Sequence, residues 1–156
     1  MPEAALLIPR PQGPKNKLLA EMDNLKMIKF FIECEPPTHT QQEHRVSRRK
    51  DGSVYFYEDR KLKEVRAFLS DQVAKMKPDK PMKGAIRLTV KWCFPGKGKP
   101  DGTYKFTKPD TDNLNKLLKD VMTDERYWKD DAQVASEIIE KFWADRSGIF
   151  IKVEEL

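Results

Sequence analysis

The chain has 156 residues, 38% of them hydrophobic and 35% charged, with a formal net charge of +5. That length suits one domain around one core. With no apolar run near the roughly 20 residues a membrane span needs and no secretory leader pattern at its start, the sequence predicts a cytoplasmic protein with no membrane partner. The two cysteines, Cys34 and Cys93, lie in apolar strand-like runs, and a reducing compartment leaves them as free buried thiols. His39 and His44 have no cysteine or third histidine nearby, so they read as a loop pair and not as a zinc site.

Residues 1–26 mix Pro2, Pro9, Pro11 and Pro14 with the short segment LLAEMDNL and show no convincing period, so they read as a flexible N-terminal extension. Met22 and Met27 are both plausible alternative starts, and residues 27–156 form the expected domain. From Met27, Ile28, Phe30, Ile32 and Cys34 alternate with Lys29 and Glu33 as a half-buried strand requires, Phe31 breaking the alternation before Pro36 and Pro37 end it. The stretch RVSRRKDGSVYFY, 45–57, carries Asp51-Gly52 between two β-prone arms and predicts a hairpin with its basic arm outward. Leu62, Val65, Leu69, Val73 and Met76, with Phe68 beside them, recur at threes and fours and predict an amphipathic helix that Pro78 closes.

Ile86, Leu88, Val90, Trp92 and Phe94 alternate strictly with Arg87, Thr89, Lys91 and Cys93, the cleanest strand in the chain. A Gly/Pro-rich loop over 95–108 follows. Leu114, Leu117, Leu118 and Val121 then predict a second helix, with Asp112 or Asn113 as its natural N-cap. Val134, Ala135, Ile138, Ile139, Phe142 and Trp143 suit a helix by spacing, whereas 148–153 reads as a strand.

Charge is distributed unevenly. From Asp110 to Asp131 seven acidic side chains face four basic ones, so this segment is net negative by three and the remainder of the chain net positive by eight. Two basic clusters lie outside the clear helices: Arg45, Arg48, Arg49 and Lys50 in the hairpin, and Lys97, Lys99, Lys105 and Lys108 in the loop. A basic surface attracts a polyanion, and an acidic knot within it can hold divalent cations that act on that polyanion. Asp110 and Asp112 stand at a strand-to-helix junction, Asp130 and Asp131 just past the helix, and Lys116 one turn after Asp112, where it can neutralise phosphoryl oxygens or assist a leaving group. Two to four carboxylates converging from different segments suffice for magnesium. Spacing alone leaves a plainer account open. Asp-x-Asp-Asn before a helix is also capping chemistry, Lys116 with Asp112 or Asp120 is an ordinary i,i+4 pair, and Asp130-Asp131 is compatible with a solvated turn.

The pattern PD-x-DN-xx-K-xxx-D, here Pro109, Asp110, Asp112, Asn113, Lys116 and Asp120, followed by Trp128-Lys129-Asp130-Asp131-Ala132-Gln133-Val134, resembles the signature of the RusA family of Holliday junction resolvases. A weaker likeness runs over 27–156, through PPTHTQQEHR and Gly52-Ser53-Val54-Tyr55. The resemblance implies a single α/β (α+β) domain, a mixed β-sheet flanked by two main helices, working as a homodimer. It implies a magnesium site, with manganese able to substitute, at Asp110, Asp112 and Asp131, with Asp130 counted among the metal candidates, and a catalytic lysine at Lys116. The activity implied is that of a crossover junction endodeoxyribonuclease acting on four-way or other branched DNA, with Asn113 joining the basic clusters as a DNA contact. It further implies that 133–142 is a strand, against the helical count. Two departures are evident: Gln41, Gln42 and Glu43 stand where the family often carries basic residues, and residues 1–26 have no counterpart. The rival readings are a nuclease of the same fold acting on other branched DNA and a non-catalytic junction-binding protein.

Overall fold

The computed structural model describes residues 27–38, 40, 45–57 and 60–156, with backbone alone for 45, 46 and 55–57. The expected extension over 1–26, the histidine pair, the Gln41–Glu43 departure and the Arg45 side chain lie outside the described residues. The elements run β1 (Met27–Glu33), β2 (Arg45–Arg48), β3 (Val54–Tyr57), α1 (Arg60–Ala74), β4 (Ile86–Pro95), α2 (Thr111–Asp124), a single 3₁₀ turn (Asp131–Gln133), β5 (Val134–Ala144) and β6 (Gly148–Glu155).

Among the described residues four strands form one mixed sheet in the order β1-β6-β4-β5. β6 pairs antiparallel with both β1 and β4, while β4 and β5 are parallel. A parallel pair needs a crossover connection, and α2 supplies it. The period-2 alternation of β4 sends Ile86, Leu88, Val90, Trp92 and Phe94 into the core. Register aligns them with Ile149, Ile151 and Val153 of β6, and through β6 with Ile28, Phe30 and Ile32 of β1. The two helices close this face with Leu62, Leu69 and Val73 of α1 and Leu114, Leu117, Leu118, Val121 and Met122 of α2. Phe31, out of step in the sequence, turns to the other face, where the Arg146 guanidinium lies 4.5 Å from its ring centre.

The hairpin forms as expected, with β2 and β3 paired antiparallel. Gly52 supplies the left-handed φ of 85° at its turn, and Asp51 Oδ1 accepts from both the Ser53 amide and hydroxyl at 2.9 and 2.6 Å.

Several expectations are corrected. Met76 lies beyond the end of α1 and is exposed, as is Phe68, so the buried stripe stops at Val73. Both thiols are free, but they are half-buried. Burial, with Glu35 nearby, pushes the Cys34 thiol up to about 11. β5 is a strand, as the family resemblance implied and the apolar spacing did not. No helix among the described residues is long and apolar enough to cross a membrane.

Candidate active site

α2 carries the motif. The helix opens at Thr111, so the expectation of Asp112 or Asn113 as its N-cap is corrected: the cap position is Asp110, two and three residues earlier, with an extended backbone (φ −73°, ψ 145°) and no side-chain capping bond. Its apolar stripe buries Leu114, Leu117, Leu118 and Val121 and leaves Asp112, Lys116 and Asp120 on the polar side. Among the described residues neither Asp110 nor Asp112 forms an ion pair.

Lys116 is the hub. Its Nζ donates to Asp120 Oδ1 at 2.7 Å and to Asp131 Oδ2 at 3.3 Å. The hydrogen bond to Asp120 is the largest influence holding this ammonium above the ordinary lysine value of 10.5, opposed by partial burial and helped by the Asp120 charge and by Asp131. These contacts border a cleft of about 430 Å³ lined by Arg66, Lys116, Asp120, Thr123, Asp124, Lys129, Asp130 and Asp131.

Asp131 is brought here by a turn with a visible construction. After α2, Trp128 is fully buried and its indole N–H donates to Thr123 Oγ1 at 2.7 Å. The buried Tyr127 donates its hydroxyl to the Val73 carbonyl at 2.6 Å. Asp130 then caps the 3₁₀ turn, its Oδ1 accepting from the Ala132 amide at 2.9 Å. Gln133 is the tie between this turn and the preceding loop. Its Oε1 accepts from the Lys129 and Asp130 amides at 2.9 and 3.2 Å, and its Nε2 donates to the Met82 and Gly84 carbonyls at 2.9 and 3.2 Å. Asp130 is therefore committed in part to shaping the turn, whereas Asp131 faces Lys116.

β5 closes the other side of α2. Glu137 accepts from the Asn115 amide at 2.7 Å and from Lys119 at 2.5 Å. Asn115 is buried and, among the described residues, its Oδ1 has no hydrogen-bond partner.

The basic residues divide. Arg48, Arg49 and Lys50 are exposed on the hairpin, and Lys97, Lys99 and Lys108 on the loop before α2. Asn113, one turn N-terminal to Lys116 on α2, is half-exposed. Lys105 differs from the rest of its cluster: it is only 8% exposed, its Nζ donates to Thr107 Oγ1 at 2.5 Å and to the Lys108 carbonyl at 2.6 Å, and it lies 4.5 and 5.2 Å from the ring centres of Trp143 and Phe94. The spacing that counted it with the surface lysines could not register that it points inward. Next to it, Phe106 is 93% exposed. Lys141 of β5, which no spacing or motif singles out, donates to the Thr107 and Pro109 carbonyls at 2.6 and 2.7 Å.

For a metal, the donor chemistry fits. Asp110, Asp112 and Asp131 offer hard carboxylate oxygens of the kind magnesium takes, and the Asp110 carboxylate is not spent on capping its helix. Asp112 and Lys116 are neighbours on one helical face, and Lys116 holds Asp131 beside that face. Among the described residues no three His, Cys, Asp or Glu side chains already stand close enough together to hold an ion. The arrangement is thus two acidic groups, one at the start of α2 and one on the turn beyond its end, with a lysine between them.

Comparison with known proteins agrees with the motif. Residues 35–154 match the family described as endodeoxyribonuclease RusA. The chain is 30% identical over 132 residues to the crossover junction endodeoxyribonuclease rusA of Lactococcus phage r1t, covering 83% of this chain and 98% of that protein. It is 25% identical over 141 residues to the uncharacterized protein YqaN of Bacillus subtilis strain 168, covering 83% and 96%. With a family match over residues 35–154 and 30% identity to a RusA protein across most of both chains, the chain belongs to the RusA endodeoxyribonuclease family.

Proposed function

We propose that this protein is a magnesium-dependent, structure-selective endodeoxyribonuclease that resolves Holliday junctions by paired symmetric nicks, acting as a homodimer. The observation that carries the reading is the Lys116 ammonium held between Asp120 and Asp131 on the same face of α2 as Asp112. The phage relative, a crossover junction endodeoxyribonuclease, supports the four-way junction as substrate.

Asp110, Asp112 and Asp131 would hold the metal, with manganese able to replace magnesium. When bound, the ion supplies acidity that makes water nucleophilic at neutral pH and neutralises charge in the phosphoryl transition state. Lys116 presents a fixed positive charge to the phosphoryl oxygens or the departing oxygen. Its pairing with two carboxylates keeps it protonated and positioned before substrate arrives. Arg48, Arg49 and Lys50 on the hairpin and Lys97, Lys99 and Lys108 on the loop would contact the DNA backbone, which gives affinity and orientation without reading sequence. Asn113, beside the acidic pair, would contact the strand being cut.

The test is cleavage of a mobile four-way junction, with each strand labelled in turn, in magnesium, in manganese and in chelator. Paired nicks at symmetric positions, dependent on metal, are expected. Preferential cutting of flaps or forks would replace the junction by another branched substrate, and binding without cutting in any divalent metal would sink the nuclease reading. Sedimentation of the same protein should give the mass of a dimer.

A further inference from the structure

Two lysines converge on the three residues that precede Asp110. Lys105 Nζ donates to Thr107 Oγ1 and the Lys108 carbonyl, and Lys141 Nζ, reaching from β5, donates to the Thr107 and Pro109 carbonyls. Together they take up one hydroxyl and every main-chain carbonyl from Thr107 to Pro109. Sheet register makes this possible. Core-facing positions of β4 continue across to β5, where Leu88 pairs with Glu137, Val90 with Ile139, Trp92 with Lys141 and Phe94 with Trp143. At the Trp92 level the row therefore ends in a cation aimed at the site loop instead of in another apolar side chain.

The Lys105 cation comes at a cost. Among the described residues neither lysine forms an ion pair with a carboxylate. Lys105 is buried against the rings of Phe94 and Trp143, and its ammonium is pushed below the ordinary lysine value, first by burial and then by the charges of Lys141 and Lys97. Burying a charge without a countercharge is unfavourable unless hydrogen bonds replace its hydration. Here carbonyl oxygens and aromatic faces do so, and all the carbonyls belong to the segment that delivers Asp110.

We propose that Lys105 and Lys141 are positioning residues for Asp110: they fix the 107–109 segment so that the Asp110 carboxylate is held in place at the start of α2, with no need for a capping bond of its own. This rests on the reading of Asp110 as a metal-binding carboxylate. Neither lysine touches the reacting atoms, so their loss should act on metal use and on the chemical step and not on DNA affinity.

The experiment uses full-length Lys141→Met, Lys105→Met and Lys141→Arg, with Asp110→Asn alone and combined with Lys141→Met. Methionine keeps the aliphatic stem that packs on the sheet. Residues that hold a metal ligand typically contribute about 10- to 100-fold in metal affinity or activity. Lys141→Met should lower the single-turnover cleavage rate at fixed magnesium by that factor and raise the magnesium needed for half-maximal rate. Junction affinity in chelator should stay within about twofold of the parent, since this cation is spent on carbonyls and not on phosphates. The arginine variant, whose fork can still reach two carbonyls, should recover most of the loss. Independently of activity, the rise in melting temperature that magnesium produces in the parent should shrink in Lys141→Met. It should be no smaller in the double variant than in Asp110→Asn alone. If Lys105→Met fails to fold, Lys141→Met decides. A parent that cuts while Lys141→Met matches it in rate, magnesium requirement and melting response overturns the inference. A parent that neither cuts nor responds to magnesium overturns the functional reading and this inference with it.

Discussion

Lys116 and Asp131, fifteen residues apart in the chain, meet at 3.3 Å, and that contact joins the middle of α2 to the turn beyond its end. Because Asp120 holds the same ammonium at 2.7 Å, removing Lys116 takes the positive charge from between two carboxylates that line the cleft. Lys116→Ala should therefore slow the cleavage step by about 100-fold, the scale of one lost electrostatic stabiliser, with junction affinity little changed. An unaltered single-turnover rate would remove Lys116 from the chemistry. The pH dependence follows from the raised value of this group. Its contribution to stability is complete below 10.5 and is lost only as pH climbs beyond that through the raised folded value. No loss of cleavage arising from Lys116 is then expected between pH 7 and 10.

Asp110→Asn, Asp112→Asn and Asp131→Asn keep side-chain shape but weaken coordination of a hard cation. If each removes about 4 kcal/mol of transition-state stabilisation, cleavage falls by about a thousandfold. The three differ in their effect on the fold. Asp110 and Asp112 have no ion-pair partner among the described residues, whereas Asp131 gives up a partly exposed pair with Lys116 worth about 0.2–1 kcal/mol. Junction binding should persist in all three and tighten slightly, since a negative charge near the phosphates is removed. Parental cutting by any one of them would withdraw that residue from the metal site.

Legibility in the sequence tracked how many faces of an element are buried. β4 and α2 each bury one face, so a single period described them and the site residues on α2 fell on one side. β5 does not. Ile139 and Trp143 pack toward the core, but Phe142, on the opposite face, stacks on Tyr104 with ring centres 4.9 Å apart, and Ile138 is exposed. Apolar residues on both faces of a strand mimic the i, i+1, i+4 pattern of a helix, which is why only the family resemblance recovered β5. The positions of Lys105 and Lys141 were hidden for another reason. A lysine bonded to main-chain carbonyls and aromatic faces has no partner that residue spacing can announce.

The exposed hairpin basic cluster bears on binding alone. Replacing Arg48 and Arg49 by glutamate should weaken junction affinity and flatten its salt dependence, because each lost phosphate contact removes about one unit from the slope of log affinity against log salt. Both side chains are exposed and neither lines the cleft beside Lys116, so the single-turnover rate at saturating protein should be retained. Equal slopes for parent and variant would place this arm away from the DNA.

Gln133 ties the Asp131 turn to the loop before β4 with four hydrogen bonds, two accepted from the Lys129 and Asp130 amides and two donated to the Met82 and Gly84 carbonyls. Gln133→Leu conserves bulk and removes all four. Each is worth about 0.5–1.5 kcal/mol net, and solvent can replace those at the exposed amides, so a loss of about 1–3 kcal/mol is expected. For a chain of this size that lowers the melting temperature by about 3–10 °C. Gln133→Glu keeps the acceptor side but turns a carboxylate oxygen toward the Met82 and Gly84 carbonyls, and it should be no more stable than the leucine variant. Both should also cut more slowly than the parent at temperatures where they remain folded, since Asp131 leaves from the same turn. A melting temperature within about 1 °C of the parent for Gln133→Leu would mean that Asp130 capping and the burial of Trp128 hold the turn without the glutamine.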